Sequence, residues 1–368
     1  MAKRRLTKQQ QTRISKRVET HNDASTDAET ALGVVVSHHG KSVEILAGTL
    51  FGATSATEER RHFRAKLRAN LPLLVCGDIV RFKQVNGVAD QKNQEAVIEQ
   101  LLPRSTLLER PRPYTSPKPM AANLDQIVLV VAVTPLTPNT LVDRYLVAAA
   151  QIDVEVIIAI NKLDCLSNEN YHSGASTEEL ANFIELYSGL GYRIYSFSSK
   201  NSTLPPLPHT RDRAALINQM RERTSILVGQ SGVGKSSMLN DFASRQLAAE
   251  GSVSDYNTKG KHTTTHSSLH VLRTEAGGDA EQARFAIIDS PGIREFGLWH
   301  LTSDQVIDGM PEIHHYATQC QFRDCDHQSS KGCRVIEAIQ EHEIAKSRAD
   351  SYRTIVDSIK DASETRSR

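Results

Sequence analysis

The sequence lacks a long apolar run and lacks an apolar segment near its start. No stretch of 18 apolar residues occurs, so no membrane-spanning helix is expected, and residues 1–18 do not read as a secretory signal. Mean hydropathy is −0.39 with 39% apolar residues, which is typical of a soluble globular protein. We therefore expect a cytoplasmic protein. Its 368 residues predict two or three domains.

Net charge is also nearly absent, since 44 basic and 43 acidic residues give +1. Residues 1–18, however, contain no acid and carry +7, while the other 350 residues hold 37 basic and 43 acidic groups, a balance of −6. The basic residues of this segment are Lys3, Arg4, Arg5, Lys8, Arg13, Lys16 and Arg17. With so few apolar side chains, residues 1–31 are expected to form a disordered basic tail. Such a tail either binds nucleic acid or is simply solvated.

Residues 32–112 contain several short β-rich segments separated by turns, beginning with a hairpin at LGVVVSHHGKSVEIL. This pattern predicts a small β-barrel, with an OB-fold RNA-binding domain as the leading candidate. Basic residues cluster near Phe63, where a solvated loop and an RNA contact are equally compatible with the pattern. They are Arg60, Arg61, Arg64, Lys66 and Arg68. The proline-rich stretch 104–119 predicts a stiff linker containing a domain boundary.

Residues 113–298 alternate apolar strand-length runs with helical stretches, which predicts one α/β domain built on a parallel sheet. Within it, residues 229–236 fit the G-x-x-x-x-G-K-[ST] phosphate-binding loop between a predicted strand and a predicted helix. Lys235 is expected to reach the nucleotide phosphates, and the Ser236 hydroxyl to ligate Mg²⁺. The motif residues expected at the phosphates are Gly229, Gln230, Ser231, Gly232, Val233, Gly234, Lys235 and Ser236.

The tetrapeptide Asn161-Lys162-Leu163-Asp164 directly follows the apolar run VEVIIAI. N-K-x-D is the guanine-reading element of GTPases, and a carboxylate at Asp164 matches the two adjacent N–H donors of guanine. We therefore expect GTP rather than ATP as substrate. A second, weaker motif, Ser198-Ser199-Lys200, is expected to support the base from its other side.

Two further segments resemble nucleotide switches. Asp289-Ser290-Pro291-Gly292 follows the run FAIID and predicts Asp289 near Mg²⁺ and the Gly292 amide near the γ-phosphate. Thr264 is the expected switch ligand to Mg²⁺, with Thr263 and Thr265 as alternatives. Ile293 occupies the position after Gly292 and cannot orient a water, so we expect slow intrinsic hydrolysis. His262 is a candidate catalytic group, or only a switch or RNA-contact residue.

The order of these motifs is unusual. The base motif precedes the phosphate loop, and the Asp289–Gly292 motif comes last, whereas ordinary GTPases begin with the phosphate loop. The order predicts a circularly permuted P-loop GTPase domain, which keeps its site because strand ends position the ligands.

Three of the five cysteines fall within 14 residues, in the pattern C-x4-C-x-H-x5-C. This spacing predicts a structural Zn²⁺ site in a loop with too little apolar content to fold alone. Its expected ligands are Cys320, Cys325, His327 and Cys333. The remaining two, Cys76 and Cys165, are expected in the core. Residues 299–368 are thus expected to form a zinc-binding domain ending in helices.

Taken together, these motifs resemble the RsgA (YjeQ) family of bacterial, small-subunit-dependent GTPases over nearly the whole chain. The resemblance implies a multidomain α/β protein: an OB-fold barrel, a permuted GTPase domain and a zinc module. It implies GTP hydrolysis stimulated by the 30S subunit, late 30S maturation in the cytoplasm, contacts with 16S rRNA, and phosphate contacts along residues 229–237, which adds Ser237 to the loop motif. We also expect a monomer. Two alternatives stay open: a GTP-gated RNA-binding module in which hydrolysis is incidental, and a metal-stabilised NTPase unrelated to ribosomes.

Overall fold

The structure is a computed structural model and describes residues 30–40, 42–51, 61–85, 94–112, 115–166, 176–200, 204–250, 267–274, 283–289, 298 and 300–367. Within these residues, every helix is too short or too polar to cross a membrane.

Five strands near the N-terminus form a closed barrel. They are β1 (Ala31–His39), β2 (Ser42–Ala47), β3 (His62–Leu67), β4 (Ile79–Gln84) and β5 (Gln94–Leu101). The strands pair in the cycle β1–β2–β3–β5–β4–β1, in which only β3–β5 is parallel. Inward side chains such as Ile45, Phe63 and Phe82 fill the interior. The predicted hairpin and OB-type barrel are confirmed.

The basic stretch after residue 60 is a strand rather than a solvated loop. Apolar Phe63 and Ala65 point into the barrel and alternate with exposed cations along β3. Lys66 on β3 and Arg68 just after it are both paired: Lys66 Nζ lies 3.6 Å from Glu95 Oε2, and Arg68 Nη2 lies 2.6 Å from Glu99 Oε2. These pairs leave the barrel surface less basic than the sequence pattern indicates.

The proline-rich stretch is not a linker. It forms an antiparallel hairpin of β6 (Leu107–Arg112) and β7 (Thr115–Ala122). Buried Leu108 and Ala121 dock this hairpin on the main core. A two-stranded sheet has open edges that tolerate proline, which explains why the prolines do not prevent pairing. The predicted boundary between 112 and 113 lies directly after the last residue of β6.

A second group of strands forms the nucleotide-binding part of the chain. These strands are β8 (Gln126–Ala132), β9 (Glu155–Asn161), β10 (Arg193–Ser196), β11 (Thr224–Val228), β12 (Ser268–Thr274) and β13 (Ala283–Asp289). They lie in the order β10-β9-β8-β11-β13-β12, with β12 antiparallel and the other five parallel. The helices are α1 (Asn139–Ala150), α2 (Thr177–Gly189), α3 (Arg213–Met220) and α4 (Lys235–Glu250). Strand β8 is buried at every position, as its continuous apolar run predicts.

The barrel and this sheet are joined directly through β1 and β12, where Ser37 pairs with Ser268. Nearby, the buried Cys76 thiol lies 3.3 Å from the carbonyl oxygens of both Val36 and Ser267. Burial raises the pKa of this thiol to about 12, which fits a structural cysteine in the core. The two parts therefore share one continuous core.

The C-terminal part is helical, with α5 (Ser303–Asp308), α6 (Pro311–Ala317), α7 (Arg334–Gln340) and α8 (Lys346–Ser367). Helix α8 packs along α1 through an apolar stripe. Buried Tyr352, Ile355, Val356 and Ile359 form that stripe. Gly309 approaches α1 closely, because a Cβ there would lie 2.7 Å from Val147 Cα. The helical C-terminal module is thus packed against the nucleotide-binding sheet.

Candidate nucleotide site and metal centre

The motifs predicted from sequence follow parallel strands at their carboxyl ends. Asn161 ends β9, Ser198 follows β10, Gly229 follows β11 and Asp289 ends β13. Carboxyl ends of parallel strands meet at one edge of a sheet, where ligands bind in open α/β folds. The permuted order of the chain therefore still gathers the motifs along one edge.

The loop after β11 is shaped by two glycines. Gly229 has φ 139° and lies where a Cβ would come 2.2 Å from Val130 O. Gly234 has φ 97°, and a Cβ there would come 2.3 Å from Asn161 Nδ2. The loop leads into α4 at Lys235, so its backbone amides gather at a helix N-terminus, an arrangement that binds phosphate.

Lys235 folds back over this loop. Its Nζ donates to Gly229 O at 2.7 Å and to Gln230 O at 2.9 Å. The ammonium is thereby held above the loop, where it can exchange a carbonyl contact for a phosphate oxygen. Ser236 and Ser237 follow on the first turn of α4, and both are exposed.

Asn161 connects the base motif to the phosphate loop. Its side chain is buried, and Nδ2 donates to Val233 O at 3.0 Å and to Gly234 O at 3.4 Å. Its Oδ1 accepts from the Lys162 amide at 2.7 Å. These contacts fix the spacing between the two loops, which must match the length of a nucleotide.

Lys162 adopts a left-handed conformation, with φ 66°. Its Nζ donates to Thr134 O at 3.1 Å, which ties the base motif to the loop after β8. This use of Thr134 could not be read from the sequence, because a backbone carbonyl carries no residue-type signal.

Asp164 meets the serine-rich loop as the motif pairing predicts. Ser198 Oγ donates to Asp164 Oδ1 at 2.9 Å, and Lys200 Nζ lies 3.8 Å from Oδ2. The Asp164 side chain is 20% exposed, so it remains accessible to a base edge, while the neighbouring Leu163 is buried. The Ser199 hydroxyl is buried without a hydrogen-bond partner among the described residues. These contacts bring the two motifs together at the carboxyl ends of β9 and β10.

Asp289 lies at the same edge, next to a histidine that sequence reasoning missed. Burial raises the pKa of this carboxyl, while the charges of His270 and Lys235 act in the opposite direction. Ser268 pairs with Asp289 across β12 and β13, so His270, two residues further, shares the face of that carboxylate. The alternation of side chains between the two faces of β12 could have revealed His270 as a neighbour of Asp289.

Several predicted residues lie outside the described residues. They are His262, Thr263, Thr264, Thr265, Gly292, Ile293, Arg60 and the basic tail up to residue 29. The assignments of His262 to catalysis and of Thr264 to Mg²⁺ therefore stay predictions.

The cysteine-rich loop brings its four predicted ligands together. The ligand atoms of Cys320, Cys325, His327 and Cys333 all lie within 4.8 Å of one another. His327 Nδ1 lies 3.5 Å from Cys320 Sγ and 3.6 Å from Cys333 Sγ, and those two sulfurs are 3.8 Å apart. A tetrahedral zinc site with bonds of about 2.3 Å to sulfur and about 2.0 Å to nitrogen gives roughly 3.8 Å for S···S and 3.5 Å for S···N. The group fits one metal ion.

Asp326 organises this loop, a role that sequence reasoning missed. Its Oδ1 accepts from the amides of Gln328, Ser329 and Ser330 at 3.0, 3.0 and 3.1 Å. The hydroxyls of Ser329 and Ser330 add bonds of 2.7 Å each. These donors hold the pKa of the Asp326 carboxyl well below its usual range. The D-x-x-S-S spacing was a visible signal, since such short-range bonds are characteristic of aspartate and serine turns.

Comparison with known proteins agrees with this arrangement. The family model described as RsgA GTPase matches residues 101–299. The small ribosomal subunit biogenesis GTPase RsgA of Saccharophagus degradans is 37% identical over 98% of both chains. The protein of the same name from Klebsiella pneumoniae strain 342 is 35% identical over 98% of this chain and 96% of its own.

Solved structures show the same architecture. YjeQ from Thermotoga maritima aligns with a TM-score of 0.60 and 28% identity, over 90% of this chain and 98% of its own. YloQ, described as a circularly permuted GTPase, aligns with a TM-score of 0.59 and 24% identity, over 90% and 96%. With the family model matched over the nucleotide site and relatives matched over almost the full length, this chain belongs to the RsgA family of GTPases.

Proposed function

We propose that this GTPase acts in biogenesis of the small ribosomal subunit, hydrolysing GTP to GDP and phosphate when the subunit stimulates it. The relatives that carry this function in their names align over 98% of this chain. The observation that carries the GTPase part is the pair of contacts Asn161–Val233 and Ser198–Asp164, which join motifs distant in sequence into one nucleotide site.

On the base side, we assign guanine recognition to Asp164. Its carboxylate accepts only, so it selects the N1–H and N2–H₂ donors of guanine, and adenine offers no such pair there. Ser198 orients it, and Asn161 holds the base loop at a fixed distance from the phosphates. Lys162 packs its stem over the ring, Leu163 supports the loop from below, and Ser199 and Lys200 close the other side.

On the phosphate side, the amides of 229–237 and the Lys235 ammonium neutralise the triphosphate. Ser236 and Thr264 are the proposed residues that would hold Mg²⁺, with Asp289 near the ion and the Gly292 amide near the γ-phosphate. When bound there, Mg²⁺ would supply stabilisation of the charge that develops on the transferred phosphoryl group. His262 is the proposed group that orients the attacking water, since Ile293 cannot.

In the C-terminal module we assign Zn²⁺ to the Cys₃His group. Three thiolates and an imidazole are the ligand set of structural zinc sites, and the inter-ligand distances fit tetrahedral coordination. A closed set of four protein ligands gives the ion a structural role.

We assign 16S rRNA as the contacted polyanion, through the basic tail and the barrel, and a monomer in the cytoplasm as the working form. The proposed parts are a tail at 1–31, an OB-fold domain at 32–112, a GTPase domain at 113–298 and a zinc-binding domain at 299–368.

The test is GTP turnover by the full-length protein with and without purified 30S subunits. We expect stimulation by 30S and none by 50S, and absence of 30S stimulation would refute the proposal. Release of the protein from 30S separates this proposal from the RNA-binding alternative. Release that needs hydrolysis supports an active GTPase cycle, whereas equal release with a non-hydrolysable GTP analogue favours incidental hydrolysis.

A further inference from the structure

A loop of the barrel, residues 75–78, lies where the barrel meets the nucleotide-binding sheet. Its Cys76 thiol lies 3.3 Å from the carbonyl oxygen of Val36 on β1 and 3.3 Å from that of Ser267, the residue before β12. The thiol proton therefore has one acceptor in each part of the molecule. Ser267 comes two residues after the predicted switch threonines at 263–265, so Cys76 contacts the chain where that segment enters β12.

The same loop also lies beside the end of β13. A Cβ added to Gly77 would lie 3.5 Å from Ile288 Cδ1 and 2.0 Å from the carbonyl oxygen of Ala122 on β7. Gly77 therefore fits between the β6–β7 hairpin and the side chain of Ile288, the residue before Asp289. Its φ of 91° also favours glycine. The loop thus lies against β12 and β13 at the ends that adjoin the two switch motifs.

Buried hydrogen bonds hold this loop in one geometry. Asp78 is fully buried, and its carboxylate accepts from Arg104 Nε at 2.7 Å and from Arg104 Nη2 at 2.8 Å. The Val75 amide donates to the same carboxylate at 2.8 Å. Two bonds from one guanidinium to one carboxylate fix direction as well as distance. The loop therefore presents the thiol to β12 from a fixed position.

The strand register carries this contact to the switch aspartate. Ser268 pairs with Ser37 of β1 on one side and with Asp289 of β13 on the other. Residues that pair across neighbouring strands share one face of a sheet, so these three side chains form a row that leads from the barrel to the nucleotide site. A slip of β12 would move Ser268 against Asp289. Cys76 opposes such a slip, because it holds the backbone at Ser267.

We propose that Cys76 is a positioning residue for GTP hydrolysis, which fixes the start of β12 from the barrel and thereby sets the place of Asp289 in the nucleotide site. The proposal rests on the role proposed above for Asp289. The barrel is then a part of the GTPase site as well as a separate binding domain. The thiol acts only as a hydrogen-bond donor, and burial keeps its proton in place by raising its pKa to about 12.

The first experiment compares Cys76→Ala with Cys76→Ser, two side chains of nearly equal volume that differ in a hydroxyl donor. Intrinsic GTP turnover of the full-length protein is measured without 30S subunits. Cys76→Ala should lower kcat about fivefold, the effect of one lost buried hydrogen bond, with KM and GDP affinity unchanged, whereas Cys76→Ser should keep kcat near wild type. Ile45→Val is the matched control, because Ile45 is buried inside the barrel, and it should leave kcat unchanged. Equal kcat for Cys76→Ala and Cys76→Ser would overturn the proposal.

The second experiment measures the position of β12 independently of activity, by hydrogen–deuterium exchange. Amides of residues 268–274 should exchange faster in Cys76→Ala than in wild type or Cys76→Ser, while those of β8 at 126–132 should be the same in all three. Unchanged exchange at 268–274 would overturn the positioning role.

Turnover by Asp289→Asn separates this proposal from the role on which it rests. Lost turnover in Asp289→Asn beside normal turnover in Cys76→Ala overturns the positioning role alone. Normal turnover in Asp289→Asn refutes the proposed role of Asp289, and with it the effect of Cys76 on hydrolysis.

Discussion

Replacing Arg348 with methionine tests how the C-terminal helices are held on the nucleotide-binding domain. Arg348 lies on α8 and its side chain is fully buried. Its guanidinium donates to Asp143 on α1 and, at 2.6 Å from Nε, to Glu312 on α6. Tyr187 OH donates to the same Asp143 oxygen at 2.7 Å. Because Tyr187 lies on α2, the network joins four helices, and Arg348 and Asp143 at its centre are fully buried.

The expected loss is large because methionine leaves a buried carboxylate without its cation. Removing one partner of a buried ion pair destabilises a protein by about 3–5 kcal/mol. Burial already raises the pKa of Asp143 in the intact network, and loss of the cation raises it further. Between the ordinary carboxyl pKa and this raised pKa, Asp143 is protonated in the folded variant but ionised in the unfolded chain. The stability deficit of the variant relative to wild type should therefore grow with rising pH, by up to about 1.4 kcal/mol per pH unit, between the folded-state pKa of Asp143 in wild type and its higher folded-state pKa in the variant.

Urea unfolding of wild type and variant across a pH series measures both effects. Arg353→Met is the matched control on the same helix, because Arg353 is 41% exposed and pairs with Asp350 at 3.8 Å, so its loss should be below about 0.5 kcal/mol. The double change Asp143→Leu with Arg348→Met should recover much of the loss. Equal stability of Arg348→Met and Arg353→Met, or a deficit that shrinks with rising pH, would refute this reasoning.

Three further predictions concern the remaining parts. Asn161→Ala removes two hydrogen bonds to the phosphate loop, so GDP and GTP affinity measured by fluorescent-nucleotide titration should fall at least about tenfold; unchanged affinity would show that the loops are spaced by other contacts. Chelation of the metal, or Cys325→Ser, should make the C-terminal module susceptible to limited proteolysis while GTP affinity stays unchanged, because a structural metal supplies folding energy; unchanged protease resistance would contradict the structural role of the metal. Deletion of residues 1–18 should weaken 30S binding at moderate salt and flatten its salt dependence, without effect on GTP affinity; an unchanged salt slope would mean that the tail is only solvated.

Much of the nucleotide domain could be predicted because its signals are local. The run QIVLVVA predicts a buried strand and forms β8, and glycines at 229 and 234 occupy positions where any side chain would clash. The cysteine spacing predicted the metal group for a similar reason, since ligand types and intervals suffice to bring four side chains together.

The misread segments depend on tertiary context. Prolines at 111 and 113 indicate a linker, yet burial of Leu108 against the main core converts the stretch into a hairpin. The cations at residues 61–68 indicate an electropositive surface, yet glutamates on β5 pair with two of them, Lys66 and Arg68. Nothing near Arg348 in the sequence identifies Asp143, which precedes it by 205 positions.

The most direct test is to change the base specificity of the site by substituting Asp164 and to measure nucleotide hydrolysis in the presence of 30S subunits. Asparagine at this position presents an N–H donor, so Asp164→Asn should lose GTP hydrolysis and gain hydrolysis of xanthosine triphosphate, whose 2-oxo group accepts where guanine donates. We expect 30S to stimulate GTP turnover by wild type and xanthosine triphosphate turnover by the variant. Unchanged GTP preference in the variant, or failure of 30S to stimulate wild type, would contradict the account.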